Sequence, residues 1–439
     1  MSLIRWAALT SILAGLLWSG VGRARTASVD VCPSGCEYAV IQRAIEGASP
    51  GETIRIEPGT YKENLVITKN LTLQGADRER TVIKGARKGE PVILIEDRPA
   101  AAEGESIIVR IEGLTITAGQ PYSYCRYWPV CADGILVRGR ARVTIINNII
   151  PDNGWEGIAV WDRAQVTIEG NRFSANRRCH IGLWGSAQAT IQENQLLKHG
   201  DDGIELWDLS QATIQGNRIL GNLYGLKLRD FAQATIDGNS IGDSEWNGLE
   251  LRDSAQAVIS DNQISGNGRD GLQLRDSSQA SIVHNKISAN GEDGVVVWRG
   301  AQVSLANNTI TGNRDGVLLG RALEEGAPQA EGPLKLWGND VFDNSGWGIA
   351  LYTMACGFAG APQAFAGTIQ GSENKIHDNG RGNLCPPYPG SPWPKGFLKG
   401  STIGFMEMTA GRKGRSLNFN TDTGPSGKRK LRPSGSWRT

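Results

Sequence analysis

The chain has 439 residues, with 46 Lys+Arg against 45 Asp+Glu and a formal net charge of +1. Its 57 glycines are too many for a helical bundle, and they follow no Gly-X-Y period, which excludes collagen. From Pro386 to Thr439 stand 10 basic and 2 acidic residues, so a basic tail follows an acidic body. Overall charge gives no case for a nucleic-acid binder.

The first residues read as an address. Arg5 precedes an apolar run from Trp6 to Val21, and the small residues Gly22, Ala24 and Ala27 follow. The run is short for a membrane span and predicts a secretory signal over 1–27, cut near Ala24 or Ala27. No later stretch has the length and apolarity of a span. A secreted or periplasmic protein is expected. The seven cysteines suit an oxidising compartment. Cys32 with Cys36 and Cys125 with Cys131 are close enough to staple short loops. Cys356 with Cys385 would pin the last coil to the tail, and Cys179 is left over. Sequence alone leaves the connectivity open.

Tyr38–Ala48 has the amphipathic spacing of a short helix, ended by Pro50-Gly51. Strands are expected at Ile54–Ile56, Leu65–Ile67 and Leu71–Leu73, with the helix covering the open edge of the first coil. Irregular coils continue to Gly119. From there a repeat takes over. Gly134, Gly157, His180, Gly203, Gly225, Gly248, Gly271, Gly294 and Gly316 are spaced by 23, apart from two steps of 22. An Asn column runs from Asn148 to Asn308 and a Gln column from Gln165 to Gln302 with nearly the same period. Within each unit the apolar residues alternate over three brief runs, a strand signal. Three strands and three turns per unit predict an all-β, single-stranded right-handed parallel β-helix solenoid with a short N-terminal capping helix. Columns such as Ile158/Ile181/Ile204 and Val160/Leu183/Leu206 would be buried. The Asn and Gln columns read as amide ladders, and the glycines as turn residues with positive φ.

After Leu319 an insertion reaches Gly332 and about two weaker coils follow. The expected organisation is a leader over 1–27, a β-helix over 28–385 and a basic, disordered tail over 386–439. A monomer is expected.

Residues 41–64, with Ile-Gln-Arg-Ala-Ile-Glu-Gly-Ala, Pro-Gly-Glu-Thr-Ile and Pro-Gly-Thr-Tyr-Lys-Glu-Asn, resemble the opening of pectin-lyase-like β-helix proteins. The repeats at 134–319 are similar to those of NosD-type periplasmic proteins and of many carbohydrate-active enzymes. The resemblance implies the fold; the same solenoid hosts lyases, epimerases, hydrolases and non-enzymes. Catalytic signatures of pectin methylesterases are absent, and so is the Asp-Pro-His segment of mannuronan epimerases. Gly200-Asp201-Asp202-Gly203 resembles the paired aspartates of polygalacturonases, whose other elements are missing.

The chemistry is expected on an outward column: Arg138, Trp161, Trp184, Trp207, Arg229, Arg252, Arg275 and Trp298, beside Glu205, Lys227 and Glu250. Strand alternation would put these on a solvent-exposed face. Aromatic planes suit sugar rings, and guanidinium groups suit carboxylates. The column predicts a groove for acidic polysaccharide, with Trp161, Trp184, Trp207, Arg252, Arg275 and Trp298 as binding residues and loop 120–131 as one wall. Within it, Lys227 or Tyr224 would serve as base and Arg229 would neutralise a uronate carboxylate, as lyases and epimerases require. Glu205 with Asp201 and Asp202 would alternatively hold Ca²⁺ or form a hydrolytic pair. The sequence requires no cofactor. A soft metal site would draw on Cys179, His180 and His199. The bland reading makes Glu205/Lys227/Glu250 a cross-coil charge ladder and pairs each arginine with the aspartate after it (Asp230, Asp253, Asp276). On that reading the protein is a NosD-like accessory or scaffold of the cell envelope, without catalysis.

Overall fold

The computed structural model describes residues 28–97, 106–118, 131–198, 201–298, 300–321, 334–358, 368–386 and 393–399. The expected leader, Cys125, the loop preceding Cys131, His199, most of the insertion and nearly all of the tail lie outside the described residues. The strands form three parallel sheets. Sheet A has 14 strands, from Ser28–Val31 to Ile369–Ser372; sheet B has 13, from Gly59–Lys62 to Lys375–His377; sheet C has 13, from Leu65–Ile67 to Gly382–Cys385. Every strand pairs with its counterpart one coil away, so the chain is a right-handed parallel β-helix. At about 4.8 Å per coil it runs for about 60 Å.

The register is that of the repeat. Ile158, Ile181, Ile204, Leu226, Leu249 and Leu272 are successive partners in sheet C. They join one continuous core with Val160, Leu183 and Leu206. The short helix is Ile41–Gly47, with Ile41, Ala44 and Ile45 buried. Its first two N–H groups donate to the Glu63 carboxylate at 2.8 and 2.9 Å, which satisfies donors that a helix start leaves free. A strand the sequence did not announce, Ser28–Val31, precedes the helix and extends sheet A by pairing with Thr53–Ile56.

Between sheets A and B runs an unbroken asparagine ladder from Asn148 to Asn374. Each Oδ1 takes the backbone N–H and the side-chain Nδ2 of the preceding Asn, at 2.8 and 3.1 Å for Asn171. Each Nδ2 also reaches a carbonyl of a neighbouring coil, as Asn171 does with Ile145 at 2.8 Å. The glutamine column is not such a ladder. Gln165, Gln188, Gln211, Gln233, Gln256, Gln279 and Gln302 stack in register on sheet A. They are exposed, and among the described residues their amides hold no hydrogen bond.

The repeat glycines also differ from expectation. They are not the residues with positive φ. They are glycines because a Cβ would collide with the next coil: at Gly203 it would stand 2.5 Å from the Gly225 carbonyl and 2.5 Å from Ile219. The left-handed turns between sheets C and A fall instead on Asp162, Asp208, Asp230, Asp253 and Asp276. Each carboxylate takes a backbone N–H one coil back, such as that of Gly185 on Asp208 at 2.8 Å.

Cys32–Cys36 and Cys356–Cys385 are disulfides. Cys131 is also disulfide-bonded, and Cys179 is free and buried. Among the described residues no helix is long and apolar enough to cross a membrane.

Candidate functional site

The outward column of sheet C changes character along its length. Leu136, Ala159 and Gly182 begin it, Glu205, Lys227, Glu250 and Gln273 form its middle, and Val296, Leu318 and Ala350 end it. All of these are buried, which corrects the expectation of a solvent-exposed face. Trp184 is only 4% exposed and Trp298 9%, while Trp161, Trp207, Arg229, Arg252 and Arg275 are half-buried. The cause is that the large side chains fold back over the small ones beside them. The Trp184 ring lies over Gly182, where a Cβ would stand 2.0 Å from it. Trp161 and Trp184 stack at 4.7 Å and 11°, and with Trp207 they pack against Leu136 and Ala159. A second apolar cluster with Val296, Trp298, Leu318 and Ala350 closes the other end.

Arg229 and Arg252 meet glutamates of sheet C rather than the aspartates that follow them, whose carboxylates take backbone N–H groups in the turns. Arg229 lies 4.7 Å over the Trp207 ring and 3.8 Å from Glu205. Arg252 pairs with Glu250, and Arg275 lies 4.1 Å over Trp298. A second column of the same kind, at the other end of the strands, escaped the sequence reading. Arg178 lies 5.6 Å over Trp155 and Arg269 4.2 Å over Trp246. Its signal was available, since Trp155 to Arg178 and Trp246 to Arg269 are each one period of 23.

Between the two columns sits a buried cluster of acids and bases. Glu205 and Lys227 are register partners, as are Lys227 and Glu250, yet they form no charge ladder. Lys227 Nζ instead meets the Asp202 carboxylate at 3.1 and 3.2 Å and lies 3.7 Å over the Tyr224 ring. Arg178 bridges Glu156 at 2.8 Å and Glu205 at 3.2 Å. The free thiol of Cys179 donates to Glu205 at 3.3 Å. Burial, reinforced by Glu205, pushes the Asp202 carboxyl up to about 7. Burial raises Asp133 to about 6, and burial together with Asp133 holds Glu156 well above its usual range. Tyr224, buried and near Glu250, is pushed up to about 12; its ring packs edge-on against Trp246 at 5.2 Å. A carboxyl near 7 beside an ammonium is suited to proton transfer at neutral pH.

This cluster occupies a break in a structural pattern. One residue before the repeat glycine, Asp133, Asn247, Asp270, Asp293 and Asp315 each accept the backbone N–H of the next coil. In the intervening coils the equivalent residues are Glu156, Cys179, Asp202 and Tyr224. Two of these are acids, and they face Arg178 and Lys227. In the same stretch His180 replaces the glycine, and it takes the Asn176 amide at 3.0 Å.

Sulfur of Cys179 and carboxylate oxygens of Asp202 and Glu205 lie within 4.8 Å of one another. They do not fit Ca²⁺, which takes oxygen ligands in number: Lys227 and Arg178 already hold the two acids, and Asp201 is exposed. Nor do Cys179 and His180 converge on a soft metal. Cys179 meets Glu205, whereas His180 faces Phe173 and Asn176, and burial lowers its pKa to about 3.

The family model described as "Right handed beta helix region" matches residues 103–241 and 180–325. No curated protein matches the chain. Among solved structures, the Dettilon tailspike protein superposes with a TM-score of 0.52 at 14% identity, covering 81% of this chain and 68% of that one. The A-module of the Azotobacter vinelandii mannuronan C-5 epimerase AlgE6 gives 0.49 at 18% identity, over 79% and 95%. The periplasmic alginate epimerase AlgG gives 0.48 at 13%, over 81% and 80%. At these identities the likeness is one of fold.

Proposed function

The chain belongs to the right-handed β-helix family, and we propose that it is an exported member whose sheet C face binds acidic polysaccharide and carries a centre for proton transfer on it. The observation that supports this most is the interrupted column. The acids keep their backbone partners on both sides of residues 156–227 and give them up only there, next to the stacked tryptophans and arginines; departures from a local rule mark function. The half-buried Arg229 and Arg252 would meet uronate carboxylates, and the edges of Trp161 and Trp207 the sugar rings. With Arg229 relieving the charge on the carboxylate, Asp202 and Lys227 are the pair placed to take and return the proton at C5. Tyr224, with its raised pKa, would support Lys227 from below. Two disulfides suit an oxidising compartment outside the cytoplasm.

The test is incubation with polyuronates such as alginate and polygalacturonate. Absorbance of an unsaturated uronate reports elimination, and deuterium uptake at C5 reports epimerisation. Binding should weaken as salt is raised, and Asp202→Asn should abolish turnover while leaving binding. A specific observation favours a second reading, an accessory or scaffold protein: Arg178, Lys227 and Arg252 already have acidic partners within the protein. Absence of both turnover and retention on every polyuronate would establish that reading instead.

A further inference from the structure

Sheet A carries a second surface, remote in chemistry from the first. A shallow groove of about 930 Å³ follows its outer face from Ile108 to Lys335. Between Arg142 and Lys335 its lining holds no charged residue, in a protein with 21% charged residues. Two columns dominate it: the seven glutamines from Gln165 to Gln302, and beside them a column of hydroxyls from Thr167 to Ser304, broken by Val258. Each step along either column is one coil, about 4.8 Å, so the glutamines extend for about 29 Å. The amides are exposed and hold no protein partner among the described residues.

A glutamine repeated for structural reasons would be locked into a ladder, as the asparagines are. A glutamine kept merely for solubility would be interchangeable with Lys or Glu. Neither describes this column. Between Arg142 and Lys335 the groove offers donors and acceptors at every coil, no charge and a straight track. An uncharged, hydroxyl-rich linear polymer complements that lining, because one coil advances by close to the length of one pyranose unit and each amide can both donate and accept. Between those two end residues a polyuronate would meet no cation and would leave its charges uncompensated.

We propose that the sheet A face is a binding site for an uncharged linear glycan, laid parallel to the helix axis and separate from the sheet C site. The experiment is affinity electrophoresis of the full chain through gels containing dextran, galactomannan or hydroxyethyl cellulose. At least one should retard the protein, and the retardation should persist at about 0.5 M NaCl because no ion pair is involved. The triple variant Gln211→Ala, Gln233→Ala, Gln256→Ala should bind about tenfold or more weakly, through loss of three ligand hydrogen bonds. Trp184→Ala should bind these polymers as the parent does. Since the three glutamines are exposed, the triple variant should unfold at the parent temperature; if it does not, Gln233→Glu gives the same reading through one charge. No retardation by any of the polymers would overturn the proposal. So would equal retardation of the variants, or self-association of the parent that the triple variant abolishes, which would make the face a contact between copies.

Discussion

Two stretches of sheet C share a backbone and differ in chemistry. From Asn247 to Asp315 each coil repeats the last, with the residue before the glycine accepting the N–H of the next coil. From Glu156 to Lys227 the strands keep the same parallel register, but Glu156 and Asp202 turn to Arg178 and Lys227. The inward aliphatic columns and the asparagine ladder hold both stretches alike. Once those secure the coil, the turn column becomes dispensable and free to acquire chemistry.

That comparison can be broken at its backbone. Gly271→Ala places a Cβ 2.6 Å from the Gly294 carbonyl and 2.7 Å from Ile287. It should cost about 3 kcal/mol, read as a lower urea midpoint by circular dichroism. Gly203→Ala in the interrupted stretch should cost as much. A mild effect there would mean that the two stretches do not share one backbone. Next in size is Asn262→Ala, which removes the acceptor shared by the N–H and Nδ2 of Asn239 and leaves that buried N–H unpaired, while Nδ2 keeps the Ile214 and Asp237 carbonyls; it should cost about 2 kcal/mol.

A pH series sharpens the comparison electrostatically. Asp202 and Asp270 are each raised to about 7, both chiefly by burial. A raised carboxyl binds its proton more tightly folded than unfolded, so its stabilisation is full below about pH 4 and is lost as pH rises through about 7. The melting temperature should therefore drop by a few degrees between pH 5 and pH 8. Asp270→Asn, which keeps the acceptor for Asp293 N–H, should flatten part of that slope. The smallest effect on stability should come from replacing the buried pair together. Asp202→Asn with Lys227→Met should change unfolding by no more than about 1 kcal/mol, while turnover of polyuronate vanishes. A large destabilisation would assign the pair to structure.

Period and alternation made the solenoid, its cores and the asparagine ladder readable, because each depends on which residue sits above which. Exposure was not readable in that way. Trp184 points outward as alternation requires, but whether it meets water depends on Gly182 beside it, a packing relation between two columns. The arginine partners were misjudged for a similar reason. Asp230 and Asp253 adjoin Arg229 and Arg252 in sequence, yet their carboxylates take the backbone N–H groups of Asp208 and Asp230. For the glutamines, stacking in register does not bring hydrogen bonding with it, because their exposed side chains reach no acceptor or donor among the described residues.

The uniform register has a genetic corollary. Excising residues 248–270 removes one period and joins Asn247 to Gly271, so Leu272 lands on the place of Leu249 and the columns close up. Excising 180–202 also preserves the path of the chain, joining Cys179 to Gly203, but deletes Asp202 and sets Glu205 against Ala159. Unequal recombination among the repeats can thus lengthen or shorten the molecule at one set of coils without touching Asp202 or Lys227. At the other it can produce, in a single event, a folded protein stripped of its reactive centre.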